Sequence, residues 1–207
     1  MNKFIVKVIL NLHTKFYHLA SRFAKMTDGG IHPKHRLTQY HEFFMNNVNP
    51  ENIVLDIGCG SGEMAFDLAQ KVQKVFAVDI NPKKIEKAKI KFQRDNVEYL
   101  IGDVTKDLSE KKFDVIVLSN VLEHIENRKE FLEKIKNLAP KILIRVPMMD
   151  RDWITLYKKD LGLEWRLNNG HFIEYTLKSF QEEMNQANLK IDNYSIQFGE
   201  IWAVLNS

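Results

Sequence analysis

Between residues 53 and 146 the chain alternates five short apolar runs with longer stretches of helical periodicity, and nothing else in it restricts the fold so tightly. The runs fall at 53–56, 75–78, 97–101, 113–118 and 141–146. The fourth, Phe113-Asp114-Val115-Ile116-Val117-Leu118, is almost continuously apolar, as expected of a strand covered on both faces. The connections are too long for hairpins and suit crossover helices, so the strands are expected to pair in parallel. Helices are expected at 61–71, from Pro82 onward with Asn81 as its cap, and at 127–138. The expected class is α/β, with a doubly wound, mostly parallel sheet and helices on both faces.

Both flanks are read more coarsely. A helix is expected at about 3–26, a turn at Asp28-Gly29-Gly30, and a second helix at about 34–48 that Pro33 begins. After Pro147 the pattern loosens. Residues 148–175 carry Trp153, Tyr157, Trp165 and His171 in turn-rich surroundings, followed by a helix at 177–187 and strands near 190–197 and 200–205.

Composition narrows the setting. Cys59 is the single cysteine, so there is no disulfide framework, and a reducing, cytoplasmic compartment fits. The seven histidines form no metal-spacing cluster, and no metal is expected. The net charge of +3 is spread among mixed charges rather than concentrated in a basic block, which makes nucleic acid a poor partner. Residues 4–12 read FIVKVILNL, too short to span a bilayer and broken by Lys7. Phe4, Ile5, Val8, Ile9, Leu12, Phe16 and Leu19 recur at helical spacing. The segment 3–26 therefore reads as an amphipathic helix that packs on the domain or a partner, with peripheral membrane contact as the alternative.

The turn after the first strand is glycine-rich: Val54-Leu55-Asp56-Ile57-Gly58-Cys59-Gly60-Ser61-Gly62. Open α/β sheets bind ligands beyond the carboxyl ends of their strands, where such a turn meets a helix. A dinucleotide fingerprint would need glycine at position 63, which is Glu63. Asp56 puts a carboxylate beside the ligand, repelling a pyrophosphate and attracting an ammonium or sulfonium. Asp79 ends the second strand, 21 residues after Gly58, where a carboxylate can accept hydrogen bonds from ribose hydroxyls. Asp103, after the third strand, can accept one from an adenine amino group. Together they point to a cationic, phosphate-free adenosine ligand.

VLDIGCGSG, VFAVDI, GDV and FDVIVLSNVLEHI resemble, in order and spacing over about residues 50–146, the motifs of class I S-adenosylmethionine-dependent methyltransferases, in particular members acting on small molecules. The resemblance implies a Rossmann-like sheet of order 3-2-1-4-5-7-6 with the last strand antiparallel. It implies S-adenosyl-L-methionine as cofactor, with Asp56, Gly58, Cys59, Gly60 and Gly62 lining its methionine part. Asp79 would hold the ribose, Ile80 would pack on the adenine, and Asp103 and Val104 would meet the adenine edge. Ser119 and Asn120 would sit beside the cofactor after strand four. On this reading 1–207 is a single methyltransferase domain: a helical cap at 1–48, a cofactor-binding core at 50–146, and a substrate-side segment with the last strands at 147–207.

A hydroxyl acceptor benefits from a general base, and histidine suits the role. His124 follows strand four on the ligand side, and His171 lies in the irregular segment where related enzymes form the acceptor site. Some related O-methyltransferases bind a divalent metal through Glu-x-x-Glu-His; here the residues are Asn120-Val121-Leu122-Glu123-His124, lacking the first carboxylate. Arg36 is suited to grip the cofactor carboxylate or an anionic substrate. Trp153, Tyr157 and Trp165 are candidates for an apolar or sugar-stacking wall. The leading expectation is methyl transfer to a hydroxyl of a sugar, glycan precursor or other secondary metabolite. The alternatives are an RNA or protein target, a non-catalytic cofactor-binding module that supports a partner, and, least favoured, an NAD-dependent oxidoreductase.

Overall fold

In the computed structural model, which describes residues 3–28, 32–107 and 112–207, seven strands form one sheet. They are β1 (Ile53–Ile57), β2 (Lys74–Asp79), β3 (Val97–Ile101), β4 (Val115–Ser119), β5 (Lys141–Pro147), β6 (Lys190–Gln197) and β7 (Glu200–Asn206). Their order across the sheet is β3-β2-β1-β4-β5-β7-β6. The first five are mutually parallel, and β7 runs antiparallel to both β5 and β6. The expected class, order and antiparallel last strand are all present. The reversal has a local cause. Gln197 pairs with Glu200 across a two-residue loop of Phe198 and Gly199, both at positive φ. That is the hairpin geometry whose twist matches the flanking strands.

The helices are α1 (Lys3–Thr27), α2 (Lys34–Thr38), α3 (Tyr40–Asn46), α4 (Glu63–Leu68), α5 (Pro82–Lys91), α6 (Val104–Asp107), α7 (Arg128–Ile135), α8 (Trp153–Asp160) and α9 (Leu177–Gln186). Asn81 caps α5 as expected, its side chain accepting from the Lys83 N–H at 3.0 Å. Two expectations need correction. The helix expected at 34–48 is broken at Gln39, whose φ of 50° lies in the left-handed region, into α2 and α3. The segment 148–175 is not uniformly irregular: it contains α8, capped by Asp152, which accepts from the Thr155 N–H at 2.6 Å. The expected turn at 28–30 lies partly outside the described residues.

Side chains alternate across the sheet with the two-residue period of a strand. Leu55, Ile57, Ile116 and Leu118 enter one apolar layer with Leu132, Ile142 and Phe180. Val54, Val115 and Val117 enter the opposite layer with Phe44, Leu68 and Leu143. Coverage on both faces explains why β4 reads as a continuous apolar run. Because the chain builds β1 to β3 outward and then returns to lay β4 against β1, a crevice opens at the carboxyl ends of β1 and β4.

Candidate active site

A cleft of about 690 Å³ opens at that crevice. It is lined by Gly58 after β1, Asp79 and Ile80 after β2, Asp103 and Val104 after β3, and Asn120 and His124 after β4. Seven of the residues expected from the sequence thus meet at one cavity. Ile80 is 77% exposed there, an apolar side chain held in the open.

The glycine turn is tied down from the second strand. Gly58 and Cys59 donate to the Val78 carbonyl at 2.7 and 3.1 Å, and Gly60 donates to Asp79 Oδ2 at 3.0 Å. The other Asp79 oxygen accepts from the Asn81 N–H at 2.8 Å, and Lys84 Nζ stands 3.5 Å from Oδ2. Gly58 has φ of +69°, and a Cβ there would come within 2.6 Å of Val121. A Cβ on Gly60 would meet no atom within 4 Å, so this turn of backbone faces open space.

Asp56 lies beneath the turn, 2% exposed, with Oδ2 lacking a partner. Burial, then the nearby Asp79 and Glu63 carboxylates, push its carboxyl up to about 8. Asn120 sits at φ of 57° with its side-chain oxygen buried and unpartnered. Buried orphan acceptors are rare and call for an explanation. A ligand bringing donors and positive charge would satisfy both, which is the chemistry of an aminoacyl sulfonium.

The remaining expected positions are not cleft-lining residues. Gly62 is packed: a Cβ there would lie 2.6 Å from the Tyr99 hydroxyl and 2.9 Å from Ala88 Cβ. Cys59 is a buried free thiol whose pKa burial drives up, so it is inert. Ser119 accepts from Arg145 at 3.1 Å. Arg36 is turned to the surface, paired with Asp28 at 3.3 Å. Trp153, Tyr157 and Trp165 also lie outside the lining; Trp153 stacks near Tyr157 and Lys159 sits over Trp165.

On the acceptor side, the fold joins His171 to His124 across 46 residues of sequence: their rings meet edge-on at 4.6 Å between centroids. Each has a fixed orientation. His124 Nδ1 donates to the Gly170 carbonyl at 3.1 Å, and His171 Nδ1 donates to Glu174 Oε1 at 2.8 Å. Glu174 is held in turn by Arg151 and the Leu167 N–H. Burial, followed by the neighbouring His171 and Lys84, outweighs the Gly170 contact and lowers the His124 pKa.

Glu123 completes the group and was not singled out from the sequence. It is fully buried, and neither carboxylate oxygen makes a hydrogen bond of normal geometry. Burial pushes it up to about 7, against the opposing pull of its own backbone N–H and then of His171, Asn120 and Arg145. Donor atoms of Glu123, His124 and His171 all lie within 4.8 Å of one another. The sequence signal was present, since Glu123 and His124 are adjacent, but the third member comes from a distant loop. That loop is fastened by the Phe172 N–H donating to the Glu123 carbonyl at 2.8 Å.

Arg145 was also missed. It is a buried cation in the apolar run of β5, bonded twice to Glu200 at 2.5 and 2.8 Å and lying 3.6 Å from the centroid of the Tyr40 ring. It holds Tyr40 of α3 against β5.

A family model described as a methyltransferase domain matches residues 31–194. The mitochondrial ubiquinone biosynthesis O-methyltransferase of Schizosaccharomyces pombe is 36% identical over 124 residues, covering 53% of this chain and 45% of that protein. The chain spans about half the length of several curated relatives it matches. Among solved structures, a S-adenosylmethionine-dependent methyltransferase from Clostridium acetobutylicum superposes with a TM-score of 0.65 at 14% identity, covering 94% of this chain and 98% of that one. The magnesium protoporphyrin IX methyltransferase of Synechocystis, solved with S-adenosylhomocysteine bound, gives 0.63 at 19% identity over 84% and 82%. At such identities the two structures speak to the fold.

Proposed function

The chain belongs to the class I S-adenosylmethionine-dependent methyltransferases, and from that membership we propose that it transfers a methyl group to a hydroxyl oxygen of a small-molecule acceptor. The observation that carries the reading is the buried, unpartnered Glu123 carboxylate grouped with His124 and His171, of which His124 lines the cleft. S-adenosylmethionine, when bound, supplies an activated methyl group on a sulfonium. Asp56, Gly58, Gly60, Asp79, Ile80, Asp103, Val104 and Asn120 are the residues that would hold it. A bound cation would draw the buried Asp56 carboxyl towards its ionised form, against the burial that raises its pKa in the free chain, and Asp79 keeps the glycine turn in place.

The acceptor-side residues have the complementary task of removing a proton from a hydroxyl. His124 and His171 each carry the Nδ1 proton, which leaves Nε2 as the basic nitrogen. Glu123, with a pKa of about 7, is poised to take a proton near neutral pH. The curated relative's name is that of an oxygen methyltransferase, which supports the acceptor atom chosen here. Sugars and glycan precursors, favoured from the sequence, stand beside phenols as acceptors to be screened.

A second reading is favoured by one feature. Both imidazoles donate Nδ1–H to a carboxylate or a backbone carbonyl, the outer arrangement that orients histidine ligands of metals. One carboxylate and two imidazoles suit a first-row divalent ion better than magnesium. On this reading Glu123, His124 and His171 would hold that ion, which would supply Lewis acidity that makes an acceptor hydroxyl easier to deprotonate.

One experiment tests both. Labelled methyl transfer from S-adenosylmethionine is screened over phenols, sugars and nucleotide sugars, with Glu123→Gln and His171→Ala beside the parent chain. Each variant is expected to lower turnover about 100-fold or more, the usual worth of a positioned acid or base. Turnover unchanged in both would sink the assignment. Calorimetry with Mn²⁺ alone then separates the readings: metal binding by the parent chain that Glu123→Gln abolishes favours the second.

A further inference from the structure

α1 carries two unlike faces. One is docked: Leu10 is buried, Thr14 Oγ1 accepts from Lys158 Nζ of α8 at 2.8 Å, and Ser21 lies 2.9 Å from His32 Nε2. The other is apolar and open. Ile9, Leu12, Phe16, Leu19, Phe23 and Met26 alternate at spacings of three and four residues, and each is between 46% and 66% exposed. A continuous apolar stripe of that length on a helix surface marks an interaction site.

The charge of the helix identifies the occupant. Among residues 3–27 stand Lys3, Lys7, Lys15, Arg22 and Lys25, with no aspartate or glutamate. A second copy would bring an equally cationic helix alongside, with no carboxylate from α1 to offset the repulsion. An anionic lipid surface offers what this face lacks: hydrocarbon for the stripe and negative charge for its cations. No helix among the described residues is long and apolar enough to cross a membrane, so α1 would lie on the surface. At 25 residues it lies along about 37 Å of that surface.

We propose that the exposed face of α1 docks the protein on anionic membranes, with its apolar stripe at the boundary between headgroups and acyl chains. The inference is independent of the acceptor: it rests on a helix that lies outside the cleft.

The test is co-sedimentation of the full chain with large vesicles. One set is pure phosphatidylcholine and the other equal parts phosphatidylcholine and phosphatidylglycerol. Binding is expected on the mixed vesicles, at least tenfold weaker on the neutral ones, and decreasing with salt. Phe16→Asp combined with Phe23→Asp is expected to abolish it, both positions being exposed and therefore neutral to folding. Lys15→Gln and Arg22→Gln are each expected to weaken it about fivefold, the worth of one basic residue near such a surface. Absence of binding, or equal binding to both vesicle types, overturns the proposal. So does a dimer in sedimentation equilibrium that the Phe16→Asp/Phe23→Asp pair dissociates, in a chain that ignores vesicles.

Discussion

Asp56 stands at the end of β1 with its carboxyl group buried against Asp79 and Glu63, and this has a measurable consequence. The folded chain keeps the Asp56 proton up to about pH 8, whereas the unfolded chain releases it near 3.8. Between those values the native state binds more protons, so stability falls as pH rises through that window and is fully retained only below it. Denaturation with urea is expected to show a loss on the order of 6 kcal/mol across the window. Asp56→Asn is expected to remove most of that slope while weakening ligand binding. A variant with the parent's slope would show that Asp56 does not titrate as described. Asp56 was legible in the sequence because it adjoins the glycine turn. Glu123 was not, because its burial and its contact with His171 arise only when distant loops meet.

At the scale of elements, the glycines of the turn divide into two kinds. Gly60 faces open space, while Gly62 is wedged against Tyr99 and Ala88 where α4 begins. Gly62→Ala at φ of +93° is expected to cost about 2–4 kcal/mol, combining left-handed strain with overpacking. Gly60→Ala is expected to cost about 1 kcal/mol, from strain alone. Chemical denaturation of the two variants checks this; equal losses would contradict the division. The sequence spacing showed that three glycines were needed but could not show that one serves packing. Nor could it show the break at Gln39 or the presence of α8. Gln39 is an ordinary residue held left-handed by its surroundings, and α8 is a short amphipathic helix whose Lys158 bonds Thr14 of α1, a long-range contact that helix propensity alone does not reveal.

For the whole molecule, a ligand that binds the crevice of the native sheet stabilises it by mass action. At a hundredfold excess over its dissociation constant, S-adenosylmethionine is expected to add about 2.7 kcal/mol. This reads as a rise of several degrees in melting temperature, with no shift for NAD. A shift with NAD instead would reverse the cofactor assignment. The parallel α/β class, the glycine turn and the three aspartates at strand ends follow from the sequence by itself, because strand periodicity, crossover connections and glycine spacing are local signals; the sheet order was implied only by the resemblance of the motifs to a family. What only the tertiary structure decided is the acceptor side. Glu123, His124 and His171 converge, Arg145 bonds Glu200 of β7 beneath Tyr40 of α3, and Arg36 turns away to Asp28. Those outcomes depend on loops packed against one another at long separation, and no periodicity along the chain encodes where a loop's side chains will finally point.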